Sequence, residues 1–520
     1  MSTSVFPALR NAAALAALAI LSASTSSPLF AQTATVERAS DPALETPYVA
    51  EPAGGATTRT FSLEETIALS HQQSPLARSA RYALIASQWR FKSFRADLLP
   101  ELSLSGDVPN YRRSFSSRLD ENGRIQFIAT KQSNASLELS VNQNLLWTGG
   151  TLSVSSGLTR LGIFTGENTY LWNSTPLVVS LRQPLFQYNA LKWRNRIEPL
   201  RLTIAEKRFV EEIENLSFTV TQRYFDVLLA KVNVDIAQLN VAVNDSIYNI
   251  SVGRYNLGSI AENDLLQSEL AFRNAEAALT SSEINYEQQI KSFRLLLGLE
   301  ADADFDVDVP EEVPQLQVTT DRALEMAREN NSTSLNNLLQ SVQARQNLEQ
   351  AIRQNTFSAS MQANLGLNQT AEDISDVYAN PLDQQFFTLS FNVPVFNWGQ
   401  SRAEINSARN VQRQVADDIA YSQAQFELAI ENTVGEFIQL GQQVDLAAKS
   451  DTIANRRYDV ARNRYLIGRI DITNLLIAQN ERDSARRSYI QALRNYWLGV
   501  YNLRRLTLYD FETQSRIRHD

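Results

Sequence analysis

The chain has 520 residues, 43% of them hydrophobic and 20% charged, with no cysteine, two histidines and a formal net charge of −9. That length exceeds one compact core. The acidic balance gives a nucleic-acid partner no electrostatic support. The lack of cysteine removes disulfides, thiolate metal sites and cysteine nucleophiles. His71 and His519 stand in isolation, so a histidine metal site or a Ser-His-Asp triad is hard to build. Neither a metal nor a cofactor is expected. Beyond the N-terminus no apolar run is long enough to span a bilayer as a helix, which excludes a polytopic helical membrane protein.

Residues 1–31 read as a secretory signal peptide: Arg10, an apolar run over 12–21, then small residues up to a cleavage point after Ala31. Residues 32–60, rich in Ala, Thr, Pro, Glu and Gly, read as a flexible extension.

The remainder reads as one unit written twice. Arg254-Tyr255-Asn256-Leu257-Gly258-Ser259-Ile260 returns as Arg464-Tyr465-Leu466-Ile467-Gly468-Arg469-Ile470, an offset of 210 residues. Pro184-Leu185-Phe186 returns as Pro394-Val395-Phe396 at the same offset. Upstream, Thr66 aligns with Ala323 at an offset of 257, so the first copy holds 47 additional residues between these landmarks. The spacing predicts repeat 1 over 61–300, an acidic connector over 301–318, repeat 2 over 319–510 and a tail over 511–520.

Each repeat opens on a helix, expected over 63–97 and 321–355. Strict apolar/polar alternation then predicts half-buried strands over 357–369 and 385–393, matched in repeat 1 near 101–108 and 177–183. An additional hairpin, in repeat 1 only, is expected over 135–160. In it Leu137, Leu139 and Val141 alternate with serines and Glu138, and Trp147-Thr148-Gly149-Gly150 makes the turn. Long helical patterns follow at 189–252 and 399–462, with Pro199 marking a kink or a true start of the first. Gly-containing tips and returning helices complete two helical hairpins, 189–297 and 399–506. Helices this long need partners along their whole length, as in a coiled-coil-like bundle or tube.

Export, strand length and a cluster of aromatics (Trp147, Trp172, Tyr188, Trp193, Phe396, Trp398) favour an outer-membrane barrel over a soluble sandwich. Four to six strands cannot close a barrel alone, and open edges are forbidden in lipid. Several chains must share one barrel, with the Ser, Gln, Asn and Thr faces lining water. Three chains give 12 or 18 strands, depending on whether the additional hairpin joins the wall.

In order, these residues resemble the TolC-like outer-membrane efflux proteins. The opening from Ser62 to Leu69, the Ala96-Asp97-Leu98-Leu99-Pro100 junction, Gln183-Pro184-Leu185-Phe186 with Val393-Pro394-Val395-Phe396, and the doubled Arg-Tyr-x-x-Gly carry the resemblance. It implies an α+β membrane protein: a homotrimer with one shared barrel in the outer membrane of a Gram-negative bacterium, continued by a periplasmic helical tunnel. It implies no enzyme. The partners implied are outer-membrane lipid, a periplasmic adaptor and an inner-membrane transporter, in tripartite efflux or type I secretion.

The resemblance places swivels at Pro184, Phe186, Pro394 and Phe396. It places adaptor-contacting tips at Arg254, Tyr255, Gly258, Ser259, Arg464, Tyr465, Gly468 and Arg469, and a constriction at Asp264, Gln267, Asn474 and Ile477. Intrahelical salt bridging is the alternative for Arg254 and Arg464, and an outward-facing helix start is the alternative for Asp264. The chain departs from the family where Asn474 and Ile477 replace an acidic ring, and where the additional hairpin exceeds a four-strand protomer. Asp302, Asp304, Asp306 and Asp308 lack the glycine and glutamate of a calcium loop, so a solvated connector is expected there. His71 reads as a surface residue. The rival functions are an exported coiled-coil adhesive trimer that conducts nothing and, more remotely, an enzyme.

Overall fold

The computed structural model describes residues 59–519 apart from 120, 122, 165–167, 301–304, 311, 312 and 315. The expected signal peptide and nearly all of the extension lie outside the described residues, as do Asp302 and Asp304.

Both opening helices are broken, where one continuous helix was expected in each repeat. Repeat 1 has α1 (Leu63–Gln73) and α2 (Pro75–Ala96). Ser62 and Glu65 form a reciprocal capping box at the start of α1, and Pro75 at the first position of α2 forces the break. Repeat 2 has α5 (Thr320–Asn330) and α6 (Thr333–Gln354), broken without a proline. There the Asn331 side chain accepts from the Thr333 backbone N–H at 2.9 Å, while Glu211 accepts from the Ser332 N–H at 2.6 Å. Local side-chain bonds thus replace a helical turn.

Six strands form one antiparallel sheet: β2 (Glu101–Leu119), β3 (Ile125–Asn144), β4 (Thr151–Ile163), β5 (Thr169–Leu185), β7 (Ser358–Ala371) and β8 (Leu382–Asn392), hydrogen-bonded in that order. β2 runs well past the stretch expected at 101–108. Its register slips between Asp107 and Asn110, around Pro109, so the apolar positions change parity and simple alternation fails. The hairpin β3–β4 likewise begins ten residues before the expected 135, and its turn occupies 145–150.

The two long helices, α3 (Ala190–Asn256) and α7 (Gln400–Leu466), have 67 residues each, roughly 100 Å at 1.5 Å per residue. Pro199 lies inside α3 and does not mark its start. The returning helices α4 (Glu262–Leu297) and α8 (Ile472–Thr507) have 36 residues each. They cover only the far half of their long partners, and α2 and α6 cover the half nearer the sheet. In repeat 1 the two short partners meet end to end, where Ser74 Oγ donates to the Leu296 carbonyl at 2.8 Å.

The core gathers at mid-helix, around Val220, Tyr224, Phe225, Leu228, Phe293, Ile490 and Leu493. β1 (Arg59–Phe61) pairs in parallel with β6 (Phe305–Val307) in this region. Arg59 and Thr60, expected in the flexible extension, are thus part of the fold. The connector is not simply solvated either. Phe305 and Val307 are buried, Lys231 Nζ pairs with Asp306 Oδ2 at 2.6 Å, and Tyr224 Oη donates to the Asp308 carbonyl at 2.7 Å. After α8 a small antiparallel hairpin, β9 (Tyr509–Asp510) with β10 (Ser515–Arg516), folds back and buries Tyr509, Phe511 and Ile517.

Candidate functional site: a two-faced sheet and paired helical tips

Strand register decides what each face of the sheet presents. One row across it reads Leu102, Val141, Val154, Val179, Leu365, and a second reads Leu152, Leu181, Ala363, Phe387. The opposite face reads Glu101, Asn142, Ser153, Ser180, Asn364, and then Thr151, Arg182, Gln362, Thr388. The far end of β8 exchanges character, with Phe386 on the polar side and Gln385 on the apolar side. Side chains knit the polar face together. Ser153 Oγ donates to Asn142 Oδ1 at 2.6 Å, and Asn173 Nδ2 reaches both Asn368 Oδ1 and Thr370 Oγ1 at 3.0 Å. Leu102, Leu104, Leu139, Leu365, Phe387, Leu389 and Phe391 are exposed on the apolar face.

Aromatic residues collect at the helix-side end of the sheet. Trp147 is 91% exposed and Trp398 90%, and Phe186, Phe357 and Phe396 are exposed beside them. Phe186, at φ 62°, packs its ring 5.7 Å from Phe357, and Phe396 lies 4.8 Å from Trp398. Pro184 lies within β5, opposite Ser360, whereas Pro394 lies in the link between β8 and α7. Towards the other end, Arg160 stacks over Tyr170 at 4.3 Å and over Trp172 at 5.5 Å. Leu152 and Arg160 are about 26 Å apart along the strand, close to the height of an outer-membrane apolar band. Trp193 does not join either group: it is buried in the first turn of α3. Tyr188 is tied down too, its hydroxyl accepting from Gln346 Nε2 at 2.6 Å. Both were expected among the interfacial aromatics.

The helical tips end in one motif twice. Gly258 and Gly468 adopt φ 69° and 70°, which an L side chain resists. Their N–H groups donate to Tyr255 and Tyr465, and those of Ser259 and Arg469 donate to Arg254 and Arg464. These are Schellman turns. The two tips differ in their side chains. Tyr465 is 5% exposed and Tyr255 40%. Arg254 makes no salt bridge within its helix. Its Nη2 donates to the Tyr465 and Leu466 carbonyls at 3.2 and 3.1 Å, and its guanidinium lies 5.2 Å from the Tyr465 ring. It caps the neighbouring helix, where a cation opposes the exposed carbonyls. Arg254→Ala is expected to speed amide exchange over residues 463–472 about tenfold, equivalent to ~1.4 kcal/mol, without altering exchange in the sheet.

Just inside the tips, Gln267 Nε2 donates to Thr473 Oγ1 at 3.4 Å and links the second turn of α4 to the first turn of α8. Asp264 is half-buried at the third position of α4, and Ile477 is exposed. Asn474 is bound locally: its N–H and Nδ2 donate to Asp471 Oδ1 at 2.9 and 2.8 Å. The carboxylate of the second tip is therefore the helix cap Asp471, which the repeat comparison passed over. Its place immediately before the helical pattern was the available signal.

A second cluster went unread because its members are far apart in sequence. His71 and His519 are not isolated: their rings lie 5.1 Å apart at mid-helix, against α3. His71 Nε2 is 2.8 Å from Ser217 Oγ, which itself donates to the Ile213 carbonyl, so the imidazole is the donor. Glu214, fully buried, accepts from His519 Nε2 at 2.9 Å and from Arg504 Nε at 3.1 Å. Arg504 also pairs with Asp510 at 2.9 Å. Burial, then the charge of His519, depress the His71 pKa to about 4. Burial pulls Glu214 upward, but the His519 hydrogen bond and the Arg504 charge outweigh it and hold the carboxyl below its ordinary range.

Residues 66–299 match the family described as outer membrane efflux protein. Over that stretch, 234 of the chain's 520 residues, the chain is similar to that family. No curated protein sequence matches it. Its fold is similar to the Campylobacter jejuni CmeC outer membrane channel, at 15% identity and TM-score 0.63, over 86% of this chain and 85% of that one. The outer membrane protein VceC of Vibrio cholerae matches at 14% identity and TM-score 0.61, over 86% and 97%. The open state of the Neisseria gonorrhoeae MtrE outer membrane channel matches at 15% and 0.57, over 86% and 88%. Among the described residues no helix is long and apolar enough to cross a membrane.

Proposed function

We propose that three copies of this chain form an efflux channel of the outer membrane of a Gram-negative bacterium, with the sheets closing one barrel and the helical hairpins extending into the periplasm. The carrying observation is a single sheet, apolar on one face and polar on the other, whose end strands β2 and β8 have, among the described residues, no strand paired to their outer edges. Lipid tolerates no such edge, so β8 of one copy pairs with β2 of the next. A second feature continues that interface into the helices. Leu446, Ile453 and Val460 along α7, and Ile467 at its C-cap, recur every seven residues and are exposed. A heptad seam of this kind packs against another helix, and a second copy supplies it.

In this reading the tips, including Ser259 and Arg469, meet a periplasmic adaptor that couples the channel to an inner-membrane transporter, as in tripartite efflux or type I secretion. The purified chain in a planar bilayer is expected to give discrete ionic conductance steps. Inserted protein without conductance would instead favour an adhesive trimer. Crosslinkers at Ser259 and Arg469 are expected to capture a periplasmic adaptor, and capture only near the barrel would reverse the orientation.

The constriction lies near Asp264, Gln267, Asn474 and Ile477. Three Asp264 carboxylates held near one axis repel one another and favour cations. Asp264→Asn is expected to lower cation selectivity and raise resting conductance. If neither changes, Asp264 faces outward and serves only the N-terminal turn of α4.

A further inference from the structure

Duplication alone accounts for two strands per repeat in the six-stranded sheet, and repeat 2 supplies two, β7 and β8. Repeat 1 has four, because the β3–β4 hairpin lies between β2 and β5. The insertion is continuous with the sheet. β3 pairs with β2 from Asn142 opposite Glu101 to Ile125 opposite Leu119, and β4 pairs with β5 from Thr151 opposite Arg182 to Ile163 opposite Thr169. Its faces are in phase with its neighbours: Leu139 and Val154 fall on the apolar side, Ser140 and Ser155 on the polar side.

The turn is anchored to the helices on both flanks. Asn144 Nδ2 and Gln143 Nε2 donate to the carbonyls of Asp97 and Leu98 at 3.0 and 2.8 Å. Asn189, which caps α3, donates to the Leu146 carbonyl at 3.0 Å, and Gln183 to that of Thr148 at 3.1 Å. A hairpin fastened at its turn, paired along both strands and amphipathic in phase is built as wall.

We infer that the β3–β4 hairpin widens the outer-membrane pore of this channel and fits it to bulky, hydrated cargo. The inference rests on the trimeric barrel proposed above. Three copies of six strands give 18, where duplication alone gives 12. At about 4.8 Å between strands and a tilt near 40°, the backbone diameter rises from roughly 24 Å to roughly 36 Å. Allowing about 5 Å of side chain on each wall, the free radius rises from roughly 7 Å to roughly 13 Å. From Ser136 to Asn144 and from Thr151 to Thr159, the polar face of the hairpin carries hydroxyls, amides, Gly157 and one charge, Glu138. Three such carboxylates around that circumference sit roughly 20 Å apart, well beyond a Debye length of about 8 Å, so each is screened and none gates.

The chain contains no native cysteine, so single introduced thiols report one site each. Ser140→Cys, Ser155→Cys, Leu139→Cys and Val154→Cys are made in the full-length channel, reconstituted in lipid, and treated with a bulky membrane-impermeant thiol reagent. The two serine variants are expected to label and to lose conductance on labelling, while the leucine and valine variants stay unlabelled. In unmodified channels, polyethylene glycol of about 10 Å radius, added opposite the helical end, is expected to enter and depress conductance. Equal labelling of both faces in a conducting channel, or exclusion of polymers above about 7 Å, overturns the wide pore while leaving the channel itself intact. Labelling of all four variants in a protein that neither inserts nor conducts overturns the trimeric barrel and the wide pore together.

Discussion

Phe387→Arg is expected to cost about 2–4 kcal/mol of membrane-folded stability, whereas Thr388→Arg, the next residue, costs little. Phe387 lies mid-strand on the apolar face, opposite Ala363 and exposed, and Thr388 faces Gln362 on the polar side. An arginine facing hydrocarbon must be desolvated or must distort the bilayer, and one facing the lumen stays hydrated. Urea titration of the two variants folded into lipid vesicles measures the difference. Equal destabilisation would mean that the faces of the sheet do not separate lipid from water.

Glu214→Ala is expected to destabilise the helical region by about 3 kcal/mol, because it strips a fully buried carboxylate from Arg504 and His519. Arg504 keeps Asp510, which holds the loss at the lower end of the range for a broken buried pair. Glu214→Gln keeps the shape and removes the charge, so chemical unfolding of the two variants separates packing from electrostatics. The same cluster sets an acid dependence. His71 is held neutral in the fold at a pKa of about 4, against an ordinary value of 6.5. The unfolded chain therefore binds its proton first. The stabilisation is fully present above the ordinary value and falls away as pH drops from about 6.5 towards 4. Glu214, with its pKa depressed, contributes stability that is present above the ordinary carboxylate range and is lost as pH falls below it. His71→Asn is expected to flatten the fall in melting temperature between pH 6.5 and 4 relative to the unmodified chain. An unchanged slope would show that His71 titrates as freely folded as unfolded.

The regular parts of this molecule were legible in sequence because their signals are local. Period-two alternation in 357–369 and Gly468 after a long helical pattern each need only a few neighbouring residues to be read. β2 was truncated in that reading because the bulge beside Pro109 switches the parity of its apolar positions. The helix break at Asn331-Ser332 has no local signal because the Ser332 N–H depends on Glu211, 121 residues away. The same holds for the tips. Their turns follow from glycine, but the role of Arg254 does not, since its partners lie 211 and 212 residues on. The histidine cluster is the extreme case, joining α1, α3, α8 and the C-terminal tail through contacts that no spacing rule records.

Closure of the barrel between copies is the claim on which the rest depends. Single cysteines scanned along β2 from Leu102 to Ser105, each combined with Ser390→Cys on β8, place thiols on the two unpaired edges of a chain that has none of its own. On oxidation in lipid, the pair in register is predicted to give one covalently closed trimer and nothing larger. Crosslinking confined to single chains, or a ladder running beyond three, would contradict the account.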